Sequence, residues 1–361
     1  MEAKTQIWEV MPFIVMVIME GCTIGLTIFA KSALTNGLSP FVFIVYANSL
    51  ATLILFLFSF LMHSNDRSLP PTFTFSMFMR FLFLGLTGIT MTQTFSFLGL
   101  SYSSPILVCA MGHLIPSSNF LLSLILRKKY ANFRSSAMLF QVMGTLISIM
   151  GAAVSEFFKG PLIRHSSHQL RHAKQFFVFS SAPEFWILGG VLLAAASFSV
   201  SLWNFMQKET VKLYPEPMKV ICYYNFLGTI LSAIVSLMVE RDSDAWKLKH
   251  KMELILIVLT ALFGGVIRPT IQVWFTRLKG PFYFQVFKPF GIAYATICGV
   301  TFFPNSLHYG SVVGATIIGI GYYSVIWGQI KEDEDKIGCD DSSDSLDKKE
   351  PLLQENKEME V

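Results

Sequence analysis

The chain alternates long apolar runs with short polar or Gly/Pro-rich breaks. Ten runs stand out, at residues 11–30, 41–62, 78–97, 104–126, 136–155, 185–205, 220–239, 254–275, 282–303 and 309–330. Each approaches the roughly 20 apolar residues that a helix needs to cross a ~30 Å hydrocarbon core. The pattern therefore predicts an all-α membrane protein with ten transmembrane helices. Composition points the same way, because 361 residues that are 53% hydrophobic and only 14% charged leave too little polar surface for a soluble domain. The first run has the length of a secretory signal, but it has a counterpart in the second half of the chain and is read as retained.

That counterpart belongs to an internal duplication. A shift of 177 residues places Lys31 on Lys208, Pro40 on Pro217, Tyr46 on Tyr223, Asn48 on Asn225 and Thr52 on Thr229. A shift of 176 places Gly88 on Gly264 and Pro105 on Pro281, and one of 170 places Gly144 and Gly151 on Gly314 and Gly321. The five runs of the first half thus match the five of the second in order. A unit with an odd number of crossings leaves its copy entering from the opposite side, so the expected fold is two inverted five-helix repeats, with a solute site near the midplane between them. The boundaries follow: an N-terminus of 1–10, a first repeat of 11–155, a long loop of 156–184, a second repeat of 185–330 and an acidic tail of 331–361 expected to be disordered.

Charge sets orientation. With the N-terminus inside, Arg67, Arg80, Arg127, Lys128, Lys129, Arg134, Lys208, Lys212, Lys219, Arg277 and Lys279 face the cytoplasm, which predicts both termini inside. The net charge of +4 is spread over loops and no nucleic-acid motif is present, so nucleic acid is not an expected partner. Cys22, Cys109, Cys222 and Cys298 lie in predicted spans and Cys339 in the tail, which argues against a disulfide framework.

Several stretches carry a resemblance. KSALTNGLSPFVFIVY at 31–46, Lys159-Gly160-Pro161, Trp274 followed by Lys279-Gly280-Pro281, Lys288-Pro289, and GSVVGATIIGIGYYSVIWGQIKE at 310–332 resemble the plant nodulin-like, Walls-Are-Thin-related transporters. These belong to the EamA group of the drug/metabolite transporter superfamily, and some are called usually-multiple-acids-move-in-and-out transporters. The resemblance spans about residues 10–332. It implies two EamA-type repeats and movement of amino acids, auxin or related organic acids across the plasma membrane, or alternatively the vacuolar membrane. The chain departs from many such proteins in having Ala47 after the second-span tyrosine and His113 near the fourth-span proline, so cargo identity does not transfer with the fold.

Ionisable residues inside a span cost at least about 2.5–3.5 kcal/mol on insertion scales and each needs a reason. Glu20 is the one carboxylate deep in a predicted span, and Glu20, Thr27 and Lys31 share a helical stripe. It is a candidate for titrating protons or binding a substrate amine, with a structural ion pair to Arg268 as the alternative. Arg268, followed by Pro269 and then Gln272, places a guanidinium suited to carboxylates at an expected kink. His113 and Lys288 occupy nearly equivalent depths in the fourth and ninth runs, close to Pro116 and Pro289, and with Asn119 and Gln285 they are expected to frame a midplane cavity. Tyr46 and Tyr223 are candidates for lining the path. Asn48 and Asn225 are expected to hydrogen-bond between helices, and Gly144, Gly151, Gly314 and Gly321 to let the fifth and tenth helices approach closely within one chain. Leu352-Leu353 looks like a dileucine sorting signal.

The function expected from these residues is secondary transport of a small amino or organic acid, with protons as the candidate coupling ion and the lipid bilayer as solvent. The alternative is a nucleotide-sugar or other metabolite exchanger, since the same architecture serves such cargo. A polytopic membrane enzyme is the distant alternative, because the runs hold no H-E-x-x-H, no paired acids and no Ser/His dyad. No catalytic residue, metal site or cofactor is expected, and a phosphate-binding G-x-x-x-x-G-K-[ST] loop is absent from the sequence. Oligomeric state is left open.

Overall fold

Prolines open three of the helices, at Pro40, Pro105 and Pro217, where the missing N–H is one of the donors that a helix start leaves unpaired in any case. In the computed structural model, residues 2–63, 74–126, 135–158, 185–214, 217–248, 251–279, 283–302 and 308–347 are described. Among them the regular elements are helices and no strand occurs. In chain order they are α1 (Glu2–Thr35), α2 (Pro40–His63), α3 (Phe75–Gly85), α4 (Thr92–Tyr102), α5 (Pro105–Gly112), α6 (Ile115–Ile125), α7 (Ser136–Phe157), α8 (Trp186–Leu213), α9 (Pro217–Val239), α10 (Lys251–Leu262), α11 (Arg268–Lys279), α12 (Tyr283–Val286), α13 (Phe290–Phe302) and α14 (Tyr309–Asp347). The chain is an all-α membrane protein.

Among the described residues, nine helical stretches are long and apolar enough to cross a bilayer, and each covers most of one predicted run. The remaining run, 282–303, is broken: α12 ends at Val286, a turn follows, and the apolar part that continues is the shorter Phe290–Gly299. The loop from 159, the Lys159-Gly160-Pro161 motif and Leu352-Leu353 lie outside the described residues.

Burial divides each helix into a packed face and a lipid face. Leu107, Ala110 and Met111 of α5, Leu193 of α8 and Ala315 and Ile318 of α14 are buried together. Phe56, Met150 and Trp327 stay exposed, as side chains solvated by acyl chains do. Since lipid is as apolar as leucine, association rests on close packing. α7 and α14 supply it: a Cβ at Gly144 would stand 2.7 Å from the Gly321 carbonyl oxygen, and one at Gly321 2.6 Å from that of Gly144. Gly151 likewise abuts the Ile318 backbone and Gly314 that of Ser155, so all four glycines pack within the monomer. At the end of α1, Gly37 takes φ 101° while Leu38 N–H donates to the Ala33 carbonyl at 3.1 Å and Gly37 N–H to that of Leu34 at 3.2 Å, a left-handed stop that only glycine adopts without strain.

Two features depart from regular α-helix. α3 continues into α4, and α10 into α11, through π turns at Leu86–Met91 and Phe263–Ile267. In the first, Thr92 Oγ1 donates to the Thr87 carbonyl at 2.7 Å and Thr87 Oγ1 to that of Phe83 at 2.8 Å, so local hydroxyls serve carbonyls that the widened turn loosens.

The acidic segment after Ile330, expected to lack structure, is helical as far as Asp347. Extending an existing helix adds one hydrogen bond per residue with no new nucleation, and composition alone misses that advantage. Residues 348–361 lie outside the described part.

Candidate functional site

Two broken helices carry the polar centre. Between α5 and α6 the chain turns at His113 and Leu114, whose N–H groups reach back only three residues, to Ala110 and Met111, both at 3.0 Å. Pro116, buried near the start of α6, cannot restore the ladder. Exposed carbonyls at such a break must find donors where water is scarce. α8 provides them: Ser197 Oγ donates to the Met111 carbonyl at 2.6 Å and Ser201 Oγ to that of Ile115 at 3.2 Å.

The second break, between α12 and α13, is built the same way. Pro289 has no N–H for the carbonyl four residues earlier, that of Gln285. The Tyr322 hydroxyl donates to that oxygen at 2.7 Å, and the Tyr323 hydroxyl donates to the Val286 carbonyl at 3.0 Å. Both tyrosines come from α14. Sequence reasoning missed them, and the signal available was their position as adjacent hydroxyl-bearing residues in the last span.

Around these breaks the structure gathers four of the candidate residues. Glu20, buried on α1, has Oε1 3.6 Å from Arg268 Nη2, while Arg268 remains partly accessible. Arg268 is the first residue of α11, immediately after the π turn, so the extra residue in that turn sets the direction in which the guanidinium leaves the helix. Glu20 also reaches α13, since a Cβ on Gly291 would lie 3.5 Å from its Oε2. Lys288, in the turn that precedes α13, interacts electrostatically with both Glu20 and Arg268. His113 completes the group: its ring interacts with Lys288, its Nδ1 lies 2.6 Å from the Cys109 carbonyl, and it meets Tyr322 edge-on at a centroid distance of 4.9 Å. Arg268, Lys288 and Glu20 thus sum to one positive charge, held among spans.

Other candidates sit elsewhere. Lys31 does not join Glu20 although they share a stripe, because eleven residues of helix separate them by about 16 Å along the axis. Its Nζ donates to the Leu100 and Ser101 carbonyls at 2.9 and 2.8 Å, placing a cation at the C-terminal end of α4, where the helix dipole favours it. Tyr46 donates to the Trp246 carbonyl at 2.9 Å and packs edge-on against that indole, tying α2 to the segment after α9. Ser39 and Glu240 join the same two parts, Oγ to Oε2, at 2.7 Å. Tyr223 stacks on Phe81 and keeps about two-fifths of its surface, 41%, exposed. Gln272 is exposed, Asn119 is half-buried on α6, and Gln285 contributes its carbonyl as described. Pro269 follows Arg268 at the start of α11.

The paired asparagines differ. Asn48 exchanges two hydrogen bonds with Gln93 of α4, at 2.7 and 3.0 Å, the interhelical role expected of it. Asn225 instead donates to the Ile221 carbonyl of its own helix at 2.8 Å. In the register of that span, a shift of 176, Gln93 falls on Pro269, which has no amide to return. No group of three or more His, Cys, Asp or Glu residues arranged to hold a metal ion occurs among the described residues.

Comparison with known proteins places these features in context. No family model matches the chain. A WAT1-related protein of Arabidopsis thaliana is 48% identical over 351 residues, covering 96% of this chain and 94% of its own length. A second WAT1-related protein of the same plant is 47% identical over 338 residues, covering 91% and 90%. A third is 37% identical over 338 residues, covering 94% and 93%.

Proposed function

The chain belongs to the WAT1-related family of plant drug/metabolite transporters and is a multi-pass membrane transporter, and from that premise we propose that it moves small amino acids, auxin or related organic acids by alternating access. The observation that carries this reading is the group Glu20, Arg268, Lys288 and His113 beside two broken helices. An excess positive charge among apolar spans is costly when unoccupied and is offset when an anion enters. Arg268 provides the fork geometry that carboxylates accept, Lys288 a point charge, and Glu20 a group able to take a proton or a substrate amine.

Alternating access requires two halves that rock about a shared site, and 11–155 with 185–330 are the proposed halves. Three correspondences support an inverted relation between them. Thr52 and Thr229, equivalent at a shift of 177, meet hydroxyl to hydroxyl at 2.9 Å. The π turn that begins at Leu86 recurs at Phe263, within one residue of the shift that places Gly88 on Gly264. Breaks follow α5 in the first half and α12 in the second, at His113 and at 287–289. Such breaks at the interface of repeats are where related architectures bind solute. The termini are proposed to lie in the cytoplasm, the host membrane to be the plasma membrane with the vacuolar membrane as the alternative, and protons to be the coupling ion.

The test is uptake of radiolabelled amino acids and auxin by proteoliposomes holding the full chain, with and without a pH gradient. Arg268→Ala is expected to abolish uptake of the transported acid while the protein still elutes as a single folded species. Unchanged uptake refutes the assignment of Arg268, and no uptake of any acid by the unaltered chain refutes the cargo class.

A further inference from the structure

Glu20 holds a place that the sequence repeat gives elsewhere to a hydroxyl. At the shift of 177 Glu20 falls on Ser197 and Ile24 on Ser201, while at 176 Met111 falls on Phe287 and Ile115 on Gly291. Ser197 and Ser201 donate to the Met111 and Ile115 carbonyls at the break after α5. Their counterparts meet the break before α13: a Cβ on Gly291 would lie 3.5 Å from Glu20 Oε2 and 3.5 Å from Ile24 Cδ1. An ionised carboxylate only accepts and cannot serve a carbonyl, whereas a protonated one carries an O–H that can. The break that Glu20 adjoins offers an acceptor, since the Phe287 carbonyl, counterpart of that of Met111, accepts from the Phe290 N–H at 3.1 Å and a carbonyl oxygen has two lone pairs. Ionised Glu20 instead faces Arg268, with Oε1 3.6 Å from Nη2.

The groups around Glu20 decide what a cargo anion does to it. Arg268 comes from α11 and Lys288 from the turn before α13, and both interact with Glu20. α5 brings Cys109 and α14 brings Tyr322, neither of them cationic. α13 lays Tyr294 against α1, where a Cβ on Gly21 would stand 3.3 Å from the ring. α4 has no charged residue, and α10 carries Lys251 and Glu253 in its first turn, at the end away from Arg268. His113 lies against Lys288. Cargo does not require either cation to be vacant, because a cargo carboxylate takes over the position at Arg268 that Glu20 holds. Two carboxylates at one guanidinium repel, and a proton on one of them relieves the repulsion. Glu20, Arg268 and Lys288 sum to one positive charge when the site is empty, and with Glu20 neutral and a monoanion bound the sum is the same. The proton without the anion would leave both cations uncompensated among apolar spans, where charge is expensive.

We infer that Glu20 and a monoanionic cargo alternate at Arg268, so that each anion crosses with one proton and no net charge is moved. This rests on the transport reading above and specifies its coupling. On the entry side a proton from water neutralises Glu20, which leaves the guanidinium and turns its O–H to the break before α13, and the cargo carboxylate takes its place. On the far side the anion departs, the proton returns to water and Glu20 rejoins Arg268.

Auxin and lactate are the probes, both monoanions between about pH 6 and 8, well above the usual carboxyl range. Binding is read from thermal stabilisation of the detergent-purified full chain. The dissociation constant is expected to rise with pH, approaching about tenfold per unit, because each anion binds together with a proton. Glu20→Gln, neutral at every pH, is expected to bind without that slope. A merely structural Glu20 would change the variant's affinity and leave the slope in place. In proteoliposomes, after subtraction of protein-free vesicles, an inside-alkaline gradient is expected to speed initial uptake by the unaltered chain, whereas a potassium–valinomycin potential of either sign leaves the rate unchanged. The inference is overturned if the unaltered chain shows no slope, if Glu20→Gln keeps it, or if uptake responds to the potential. Should Glu20→Gln not fold, the slope and the response to potential of the unaltered chain decide. Failure of both probes to bind the folded, unaltered chain also overturns it, and amino-acid uptake then decides the transport reading separately.

Discussion

Thr52 and Thr229, on α2 and α9 and 177 residues apart, join their hydroxyls at 2.9 Å, so each contacts the residue that occupies its own place in the other half of the chain. A residue meets its own counterpart only at a local twofold axis, and the pair marks where such an axis would pass. Thr229 Oγ1 also donates to the Asn225 carbonyl at 2.8 Å, which makes Thr52 the donor between the two threonines. Interhelical hydrogen bonds of this kind average about 0.6 kcal/mol in membrane proteins. Thr52→Val is therefore expected to destabilise the detergent-solubilised chain by about that amount, and Thr229→Val by more, because it also removes the bond to Asn225. A double-mutant cycle read by reversible unfolding should return a coupling near 0.6 kcal/mol, and additive losses would deny the contact.

The Glu20–Arg268 pair makes a second prediction. Glu20→Gln removes the anion that Arg268 and Lys288 both interact with. Breaking a fully buried pair costs about 3–5 kcal/mol, but Arg268 is about 30% exposed and the contact is 3.6 Å, so a loss nearer 1–2 kcal/mol is expected. Adding Arg268→Gln to Glu20→Gln removes one of the two cations and is expected to recover part of the loss. Melting temperatures of the three proteins at one pH check this, and a double variant less stable than Glu20→Gln would contradict it.

The seam between α7 and α14 gives a third. A methyl at Gly321 would stand 2.6 Å from the Gly144 carbonyl oxygen and from the Ser148 nitrogen, so these backbones cannot stay at their present separation. Gly321→Ala is expected to cost about 1–3 kcal/mol through overpacking. Gly25, in the middle of α1, has no atom within 4 Å of where its Cβ would stand. Gly25→Ala is expected to stabilise by about 0.5–1 kcal/mol, since alanine loses less conformational freedom in a helix than glycine. Thermal unfolding of the two variants under identical conditions separates sterics from helix propensity.

How much of this was legible in the sequence depended on the kind of information each feature needs. Apolar run length is local, so most helices fall where the pattern puts them, and the four glycines of α7 and α14 are found as packing residues because small residues in a span have few other uses. The Glu20–Arg268 pairing was also reachable, as two deep opposite charges must find each other in lipid. Depth was not legible: Lys31 shares a stripe with Glu20, but a stripe gives direction without level, and Lys31 ends at the carbonyls of Leu100 and Ser101. The π turns were hidden as well, because LTGITM and FGGVI read as ordinary span sequence and the widened turn is set by packing against neighbours. The helix beyond Ile330 escaped because its cause lies upstream, in the span it extends.

Tyr322 and Pro289 provide the last prediction, which asks whether the break before α13 is held from outside. Pro289 withholds an N–H from the Gln285 carbonyl, and the Tyr322 hydroxyl supplies the donor at 2.7 Å from a side chain only 1% exposed. Tyr322→Phe keeps the ring and its edge-on contact with His113 but leaves the carbonyl only the Lys288 N–H, at 3.2 Å, which is expected to cost about 0.5–1.5 kcal/mol. Pro289→Ala restores a backbone donor at the position from which a regular helix would serve Gln285. In that background Tyr322→Phe should cost markedly less, because the oxygen gains a backbone donor beyond the Lys288 N–H. The coupling is measured by unfolding the four proteins of the cycle. Equal costs of Tyr322→Phe with and without Pro289 would mean that the hydroxyl acts elsewhere, and a coupling of about 0.5 kcal/mol or more would tie α14 to the bend that carries Lys288.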